Sequence, residues 1–144
     1  MLSNPKRPGK WEVVNGALDG GETILEGVLR EVREEAGPAI RVRPLGTLHA
    51  YTFRYDDDVQ YMISIAYLLA YEGGEVLAGD DMAGSEIQWM SLAELESGEV
   101  DIIVPQAQPW LFRRAVDLYR LWKGAADVML QPHFDETTRN KYRA

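Results

Sequence analysis

The chain has 144 residues, the size of one typical domain, and 46% of them are hydrophobic, which is enough for one core. The formal net charge of −8 argues against a protein that binds nucleic-acid polymers through a basic surface. There are no cysteines, which excludes disulfides, thiolate metal sites and cysteine nucleophiles. We find no signal-peptide pattern and no apolar run that could span a membrane, so we expect a cytoplasmic protein.

The first part of the chain is predicted to contain an arm, a short strand, a loop and one helix. Residues 1–10 predict an irregular arm because they are rich in proline and basic residues. Residues 11–14 are a candidate strand, and the glycine-rich residues 15–21 predict a loop. Residues 22–36 have the periodicity of an amphipathic helix, and Gly-Pro at 37–38 predicts its end.

The rest of the chain is predicted to be mainly extended before a closing helix. Alternating apolar residues and polar turns predict strands over residues 40–48, 50–55, 59–71 and 86–91. A short helix over 92–97, an amphipathic helix over 109–123 and a tail over 124–144 are predicted to follow. Strands on both sides of a helix, with another helix at the end, favour a single α/β domain over residues 1–144, with a mixed sheet between helices.

Three glutamates share one face of the predicted helix over residues 22–36. Glu31, Glu34 and Glu35 have the i, i+3, i+4 spacing, at which like charges cost about 0.2–0.5 kcal/mol per pair in an isolated helix. They also lie near the helix C-terminus, where the helix dipole disfavours anions. A hard divalent cation with oxygen ligands would offset both penalties. The alternative is a solvated acidic face, in which Arg30 and Arg33 soften the repulsion.

The segment from Gly16 to Pro38 resembles the Nudix box. That motif is Gly, five residues, Glu, seven residues, Arg-Glu, an aliphatic residue, any residue, Glu-Glu, any residue, Gly and an aliphatic residue, and this chain matches it up to the last position. The matching residues are Gly16, Glu22, Arg30, Glu31, Val32, Glu34, Glu35 and Gly37. Pro38 occupies the final aliphatic position, and Val14-Asn15 replaces the Pro-Gly that often precedes the box glycine. These departures put the detailed shape of the loop in doubt.

The resemblance implies a fold, an activity and a set of site residues. The implied fold is an α/β/α sandwich with a mixed central sheet, and the implied activity is hydrolysis of a phosphoanhydride bond in a nucleoside diphosphate linked to another moiety. The cofactor would be Mg²⁺ or Mn²⁺. By motif position, Glu31, Glu34 and Glu35 would be the metal ligands, and Glu34 and Glu35 would also be catalytic. The residues that would support the box structurally are Gly16, Glu22, Arg30 and Gly37, with Glu22 and Arg30 as an ion pair.

A further acidic residue is expected from a downstream loop, because the family often recruits one there as a ligand or a base. Glu86, at the end of the polar loop over residues 79–85, is the candidate that we favour as a third catalytic residue. Asp80 and Asp81 are competing candidates in the same loop. A solvated polar turn is the alternative role for any of these carboxylates.

Substrate recognition is expected outside the box, and the sequence offers one aromatic pattern for it. Tyr51, Phe53 and Tyr55 alternate, so they are predicted to face one side of a strand. They could stack on the base or ribose of a small-molecule nucleotide substrate. Ordinary core or cross-strand packing is the alternative. Neither a nucleic-acid polymer nor a membrane is expected as a partner.

The region before the box is short. Nudix domains normally carry one or two strands there, whereas only fifteen residues precede Gly16 in this chain. The domain is therefore expected to lack the usual N-terminal strand or strands, and an open sheet edge invites pairing. We expect a homodimer in which a second subunit covers that edge, by strand exchange for example. The C-terminal tail is the alternative cover.

Two other functions fit parts of the same pattern. A non-catalytic Nudix-fold module that binds or senses nucleotides is the main alternative, although such a protein need not keep the full set of box glutamates. The related isopentenyl diphosphate isomerase uses a cysteine, and this chain has none. The intact box therefore favours a hydrolase.

Overall fold

The computed structural model describes residues 1–79, 82–103 and 109–123. Within these residues it contains four strands and three helices. The strands are β1 (Leu2–Ser3), β2 (Trp11–Glu12), β3 (Arg41–Phe53) and β4 (Met62–Gly73). The helices are α1 (Ile24–Ala36), α2 (Leu92–Glu96) and α3 (Pro109–Trp122). The predicted tail over residues 124–144 lies outside the described residues.

The N-terminal residues form a small antiparallel hairpin, so the predicted irregular arm is wrong at Leu2–Ser3. Leu2 lies opposite Glu12, and the backbone N–H of Asn4 donates to the carbonyl of Lys10 across the turn. The pairing continues on both sides, because Leu2 bridges to Ile87 in the antiparallel sense and Trp11 bridges to Ile102 in the parallel sense. The usual N-terminal strand or strands were expected to be missing, whereas the structure has two strands of two residues each before the box, and residues of the same chain pair with both of them.

A long antiparallel hairpin makes up most of the remaining sheet structure. β3 and β4 pair from Arg41 opposite Gly73 to Phe53 opposite Met62. The two strands predicted over residues 40–48 and 50–55 are therefore one strand, interrupted only by shifts of register. One of these shifts follows Pro44, which has no N–H to donate to the ladder.

The predicted strand over residues 59–71 begins later than expected. The carbonyl of Val59 accepts hydrogen bonds from the backbone N–H groups of Tyr55 and Asp56, at 3.1 and 3.2 Å, so Val59 closes the turn between the two strands. The short strand predicted over residues 86–91 is reduced to the bridge at Ile87. Ser91 instead forms the N-cap of α2, where its hydroxyl accepts from the N–H of Glu94.

Helix α1 begins and ends at sequence signals close to those predicted. Thr23 and Glu26 form a capping box, in which the hydroxyl of Thr23 accepts from the N–H of Glu26 and the carboxylate of Glu26 accepts from the N–H of Thr23. The helix therefore starts at Ile24, two residues later than predicted. It ends at Gly37, whose φ of +98° favours glycine, and the N–H of Leu77 then donates to the carbonyl of Ala36.

The core lies between the helices and the hairpins. Helix α3 packs against β3 and β4 and also contacts α2. The buried hydrophobic residues are Leu2, Val32, Ala36, Leu45, Leu48, Ala70, Met82, Ile103 and Leu111. Pairing in both senses, with helix α3 packed on β3 and β4, agrees with the predicted mixed α/β fold. Among the described residues, none of the helices combines the length and apolar character needed to cross a bilayer.

Candidate metal site

The guanidinium of Arg30 contacts three of the box glutamates at once. Its Nη2 lies 2.7 Å from Oε1 of Glu22, and its Nε lies 3.2 Å from Oε2 of the same carboxylate. Its Nη1 donates to Oε1 of Glu31 at 2.7 Å and to Oε2 of Glu34 at 2.9 Å. Nη2 also donates to the carbonyl of Ala17 at 2.8 Å. One arginine thus joins the loop before α1 to three of the box glutamates, and the expected Glu22–Arg30 ion pair is present.

These contacts act on the protonation of both ends of the ion pair. Hydrogen bonds from Arg30, and then from the backbone N–H of Asp19, hold the pKa of Glu22 below its ordinary value of 4.5. Hydrogen bonds to Glu22, Glu31 and Glu34 raise the pKa of Arg30. Charge-assisted hydrogen bonds of this kind are roughly twice as strong as neutral ones. The pair therefore stays ionised at neutral pH.

Glu35 lies in a different environment from the other box glutamates. It is only 6% exposed, although it carries a carboxylate. The backbone N–H of Asn15 donates to its Oε2 at 3.0 Å, and the carbonyl of Glu35 accepts from the N–H of Gly79 at 3.1 Å. The loop before α1 and the segment after β4 therefore both contact the last turn of the helix at Glu35.

Two glycines leave room for carboxylates at this site. A Cβ atom on Gly16 would lie 1.8 Å from Oε1 of Glu31, so a larger residue at Gly16 would displace that carboxylate. A Cβ atom on Gly27 would lie 2.9 Å from Oε1 of Glu22 and 2.9 Å from Leu18. The box glycine at Gly16 thus has a physical role, since it lets the loop lie directly against Glu31.

The chemistry of these side chains fits a hard divalent cation. Glu31, Glu34 and Glu35 supply the carboxylate oxygens that Mg²⁺ and Mn²⁺ prefer. In this structure Glu31 and Glu34 point to Arg30, whereas Glu35 accepts from Asn15. Within the described part of the chain, no group of three or more His, Cys, Asp or Glu residues is already gathered around one point that could hold an ion. The ligands fit by type, and binding an ion would require the carboxylates of Glu31 and Glu34 to turn from the guanidinium.

The candidate catalytic residue Glu86 is held by the N-terminal hairpin. Its backbone N–H donates to the hydroxyl of Ser3 at 2.7 Å, and its carbonyl accepts from the N–H of Ser3 at 2.9 Å. Its side chain is exposed, and no hydrogen bond or ion pair joins it to α1 in the part of the chain that the structure describes. Asp80 and Asp81, the competing candidates, lie outside the described residues.

The aromatic residues of β3 form a row, but its members differ from the predicted set. Tyr51 and Phe53 are neighbours, with ring centroids 6.1 Å apart. His49 stacks on Tyr51 at 5.9 Å and meets the edge of Trp110, from α3, at 4.9 Å. Tyr55 is 67% exposed, lies beyond the end of β3 and has no ring contact with the row. Alternation could have added His49, whereas the contact with Trp110 depends on how α3 packs.

Glu12 is a buried carboxylate that was not predicted from the sequence to be a site residue. It is 9% exposed, on β2, and its Oε1 accepts from the side-chain amide of Asn4. Its Oε2 accepts from the side-chain amide of Asn15 at 3.4 Å. The available signal was an acidic residue between Trp11 and Val13 in a predicted strand.

Comparison with known proteins identifies the family. A family model described as the NUDIX domain matches residues 2–118. An ADP-ribose pyrophosphatase of Methanocaldococcus jannaschii is 37% identical over 58% of this chain and 48% of the relative, and a NAD-capped RNA hydrolase of Pseudomonas aeruginosa is 28% identical over 85% of this chain and 40% of the relative. A Mycobacterium tuberculosis protein, provisionally named 8-oxo-dGTP diphosphatase 2, is 33% identical over 86% of this chain and 79% of the relative.

The three relatives differ in how much of their own length this chain covers. The chain spans about half or less of the length of the first two relatives, and most of the length of the third. No solved structure gives a significant match. The family model covers most of the chain, including the box, in which Glu22, Glu31 and Glu34 contact Arg30. The chain belongs to the NUDIX domain family.

Proposed function

We propose that this protein is a Nudix hydrolase that uses Mg²⁺ or Mn²⁺ to hydrolyse a phosphoanhydride bond in a nucleoside diphosphate linked to another moiety. The observation that carries the proposal is the arrangement of Glu31, Glu34 and Glu35 on the last turns of α1, with Gly16 leaving space beside Glu31. Relatives named as pyrophosphatase, diphosphatase and hydrolase support the same class of reaction.

The box residues divide into ligands for the ion and residues that hold the site together. Glu31, Glu34 and Glu35 would hold the divalent ion, which when bound supplies charge neutralisation at the phosphates and activation of a water nucleophile. Arg30 would hold the loop before α1 against the helix through its contacts with Glu22 and the carbonyl of Ala17. The attack would place the water oxygen on one phosphorus and release the other phosphate as the leaving group.

The proton of the attacking water needs an acceptor near the site. A carboxylate oxygen can serve as a general base when it is within hydrogen-bond reach of the water. We propose Glu86 for this role, with Asp80 and Asp81 as the alternatives and Glu34 or Glu35 as catalytic carboxylates of the box. Glu86 is exposed and anchored to β1 through its backbone, so its side chain has freedom to reorient.

The substrate class is proposed from chemistry shared by the relatives' names. ADP-ribose, a NAD cap and 8-oxo-dGTP each contain a nucleoside attached to a phosphoanhydride. These three compounds appear in the names of the relatives, and for this chain they only suggest a class of substrate. The half-exposed rings of Tyr51 and Phe53 supply a surface on which a base could stack. Tyr55, which is exposed near the end of that row, is proposed to contact the substrate without being part of the stacked surface.

A substrate panel with matched variants tests the function. Wild type, Glu35→Gln and the exposed control Glu75→Gln would be assayed with each metal against nucleoside triphosphates, ADP-ribose, nucleotide sugars, NADH, dinucleoside polyphosphates and NAD-capped RNA. Metal-dependent release of a nucleoside monophosphate by wild type and Glu75→Gln, but not by Glu35→Gln, is the expected result. Metal-dependent binding without turnover of any compound would instead favour a non-catalytic nucleotide-binding module.

Three further expectations stay predictions: a cytoplasmic location, a homodimer, and a small molecule rather than a nucleic-acid polymer as the substrate. The hairpin of β1 and β2 is paired within the chain to Ile87 and Ile102, which removes part of the reason for strand exchange. Sedimentation equilibrium at micromolar concentration tests the homodimer, and a plain monomer would exclude it. Turnover of NAD-capped RNA in preference to every small molecule would overturn the substrate prediction.

A further inference from the structure

The carboxyl group of Glu12 lies in a place where a charge is costly. The residue is 9% exposed, and among the described residues its carboxylate contacts two neutral amides and forms no ion pair. Burial of a carboxylate is unfavourable unless hydrogen bonds or an opposite charge offset it. A buried acidic residue at the end of a two-residue strand, just before the box, therefore needs an explanation beyond packing.

The contacts of Glu12 connect it to the proposed metal site through one residue. Asn15 donates from its side-chain amide to Oε2 of Glu12 at 3.4 Å and to the carbonyl of Val13 at 2.9 Å. The backbone N–H of the same Asn15 donates to Oε2 of Glu35 at 3.0 Å. Asn15 is thus held by residues of the N-terminal segment on one side and contacts a box glutamate on the other.

We propose that Glu12 is a positioning residue for Glu35. Its carboxylate holds the side chain of Asn15, and the backbone N–H of Asn15 then fixes the orientation of the carboxylate of Glu35. Groups that orient metal ligands in this way change metal affinity or activity by about 10–100-fold when they are removed. The inference rests on the proposed function, because it assigns Glu12 to the orientation of a proposed metal ligand.

A purely structural role for Glu12 makes a different prediction. The amide of Asn4 also donates to Glu12, so Glu12 could serve only to stabilise the hairpin of β1 and β2. Loss of Glu12 would then lower the free energy of unfolding and leave the metal affinity of the folded protein unchanged. Removal of the Asn15 side chain would likewise leave metal affinity unchanged, because the N–H that contacts Glu35 belongs to the backbone.

The test measures Mn²⁺ binding without substrate, by electron paramagnetic resonance of the free ion. The proteins are wild type, Glu12→Gln, Asn15→Ala, the double variant and the exposed control Glu75→Gln, each checked for folding by circular dichroism and thermal unfolding. We expect the Kd for Mn²⁺ to rise about tenfold in each single variant. Because both changes break the same connection, the Kd of the double variant for Mn²⁺ should be no higher than the higher of the two single-variant values.

The outcomes separate this inference from the proposed function. Unchanged Mn²⁺ affinity in folded Glu12→Gln and Asn15→Ala, with wild type binding Mn²⁺ and turning over substrate, would overturn the positioning role alone. Fully additive losses in the double variant would also overturn it. A wild type that neither binds Mn²⁺ nor hydrolyses any nucleotide would overturn both proposals. If Glu12→Gln does not fold, an unchanged Mn²⁺ affinity in Asn15→Ala overturns the positioning role, because that variant removes the side chain that contacts Glu12 and keeps the backbone contact with Glu35.

Discussion

Arg30 and Glu22 form a two-point ion pair across the start of α1, with Nη2 of Arg30 2.7 Å from Oε1 of Glu22 and Nε 3.2 Å from Oε2. The same guanidinium contacts Glu31, the next residue, and Glu34, one turn further along the helix. A single side chain therefore organises carboxylates that would otherwise repel each other on one helix face. The predictions below test what this arrangement and its neighbouring glycines contribute.

Replacing Arg30 with lysine should impair the site although the charge is kept. Lysine lacks the planar fork that contacts Glu22 at two points while it also reaches Glu31 and Glu34. We expect kcat/KM to fall by about tenfold or more, as is typical when a group that orients ligands is lost. Steady-state kinetics would measure this, with exposed Arg33→Lys on the same helix as the control. Equal kinetics for the two variants would contradict the central role of Arg30.

Gly16→Ala should weaken metal binding more than Gly20→Ala, although both glycines lie in the loop before α1. A Cβ on Gly16 would lie 1.8 Å from the carboxylate of Glu31, whereas a Cβ on Gly20 would have no neighbour within 4 Å. The Kd for Mn²⁺, measured by calorimetry, is expected to rise for Gly16→Ala and to stay at the wild-type value for Gly20→Ala. Identical affinities would show that the loop can move away from Glu31 without consequence.

The stability of the protein should decline on the acid side through Glu22. Its folded-state pKa lies below the ordinary value of 4.5, so the stabilisation is fully present above that pH and is lost as the pH falls through the folded-state pKa. Glu22→Gln should therefore be less stable than wild type near neutral pH, and the difference should shrink in acid. Urea unfolding at a series of pH values measures this, with Glu75→Gln as the control. A difference independent of pH would exclude an electrostatic origin.

Gly37→Ala should destabilise the protein more than Gly98→Ala. Both glycines have positive φ, +98° and +80°, so alanine at either position is expected to cost about 1–2 kcal/mol of conformational strain. Only at Gly37 would the added Cβ also meet a backbone atom, the carbonyl oxygen of Leu77 at 3.0 Å. Urea denaturation gives both free energies of unfolding. Equal losses of unfolding free energy in the two variants would mean that the segment at Leu77 can move away from the added Cβ without cost.

Features that depend on neighbours along the chain were predicted well from the sequence. The stop of α1 at Gly37 and the closing helix that begins at Pro109 were both predicted from local signals, and the structure contains both. The capping box at Thr23 and Glu26 also has a local signal, but it was not predicted, and the helix therefore starts two residues later than expected. The spacing of the box residues likewise places Glu34 within reach of Arg30, because residues four apart are neighbours on a helix. The contact of Arg30 with Glu31, the adjacent residue, does not follow from helical spacing.

The errors have physical causes that involve distant residues. The N-terminal arm was expected to be irregular because residues 1–10 are rich in proline and basic residues. Leu2–Ser3 is too short to show a strand pattern of its own, and its pairing comes from Glu12 and Ile87. Tyr55 was grouped with Tyr51 and Phe53 by alternation, but the strand ends at Phe53 and the turn closed by Val59 removes Tyr55 from that face.

The sequence by itself determined the family and the acidic helix, and it supplied the candidate ligands for a divalent ion, because each of these follows from residue type and short spacing. Only the tertiary structure decided that Glu12 is buried beside Asn15, that Asn15 contacts Glu35 and that Trp110 meets His49. Those contacts join segments whose approach depends on how the hairpins and helices pack. Packing sums many weak interactions over the whole domain, so no single stretch of the sequence encodes it.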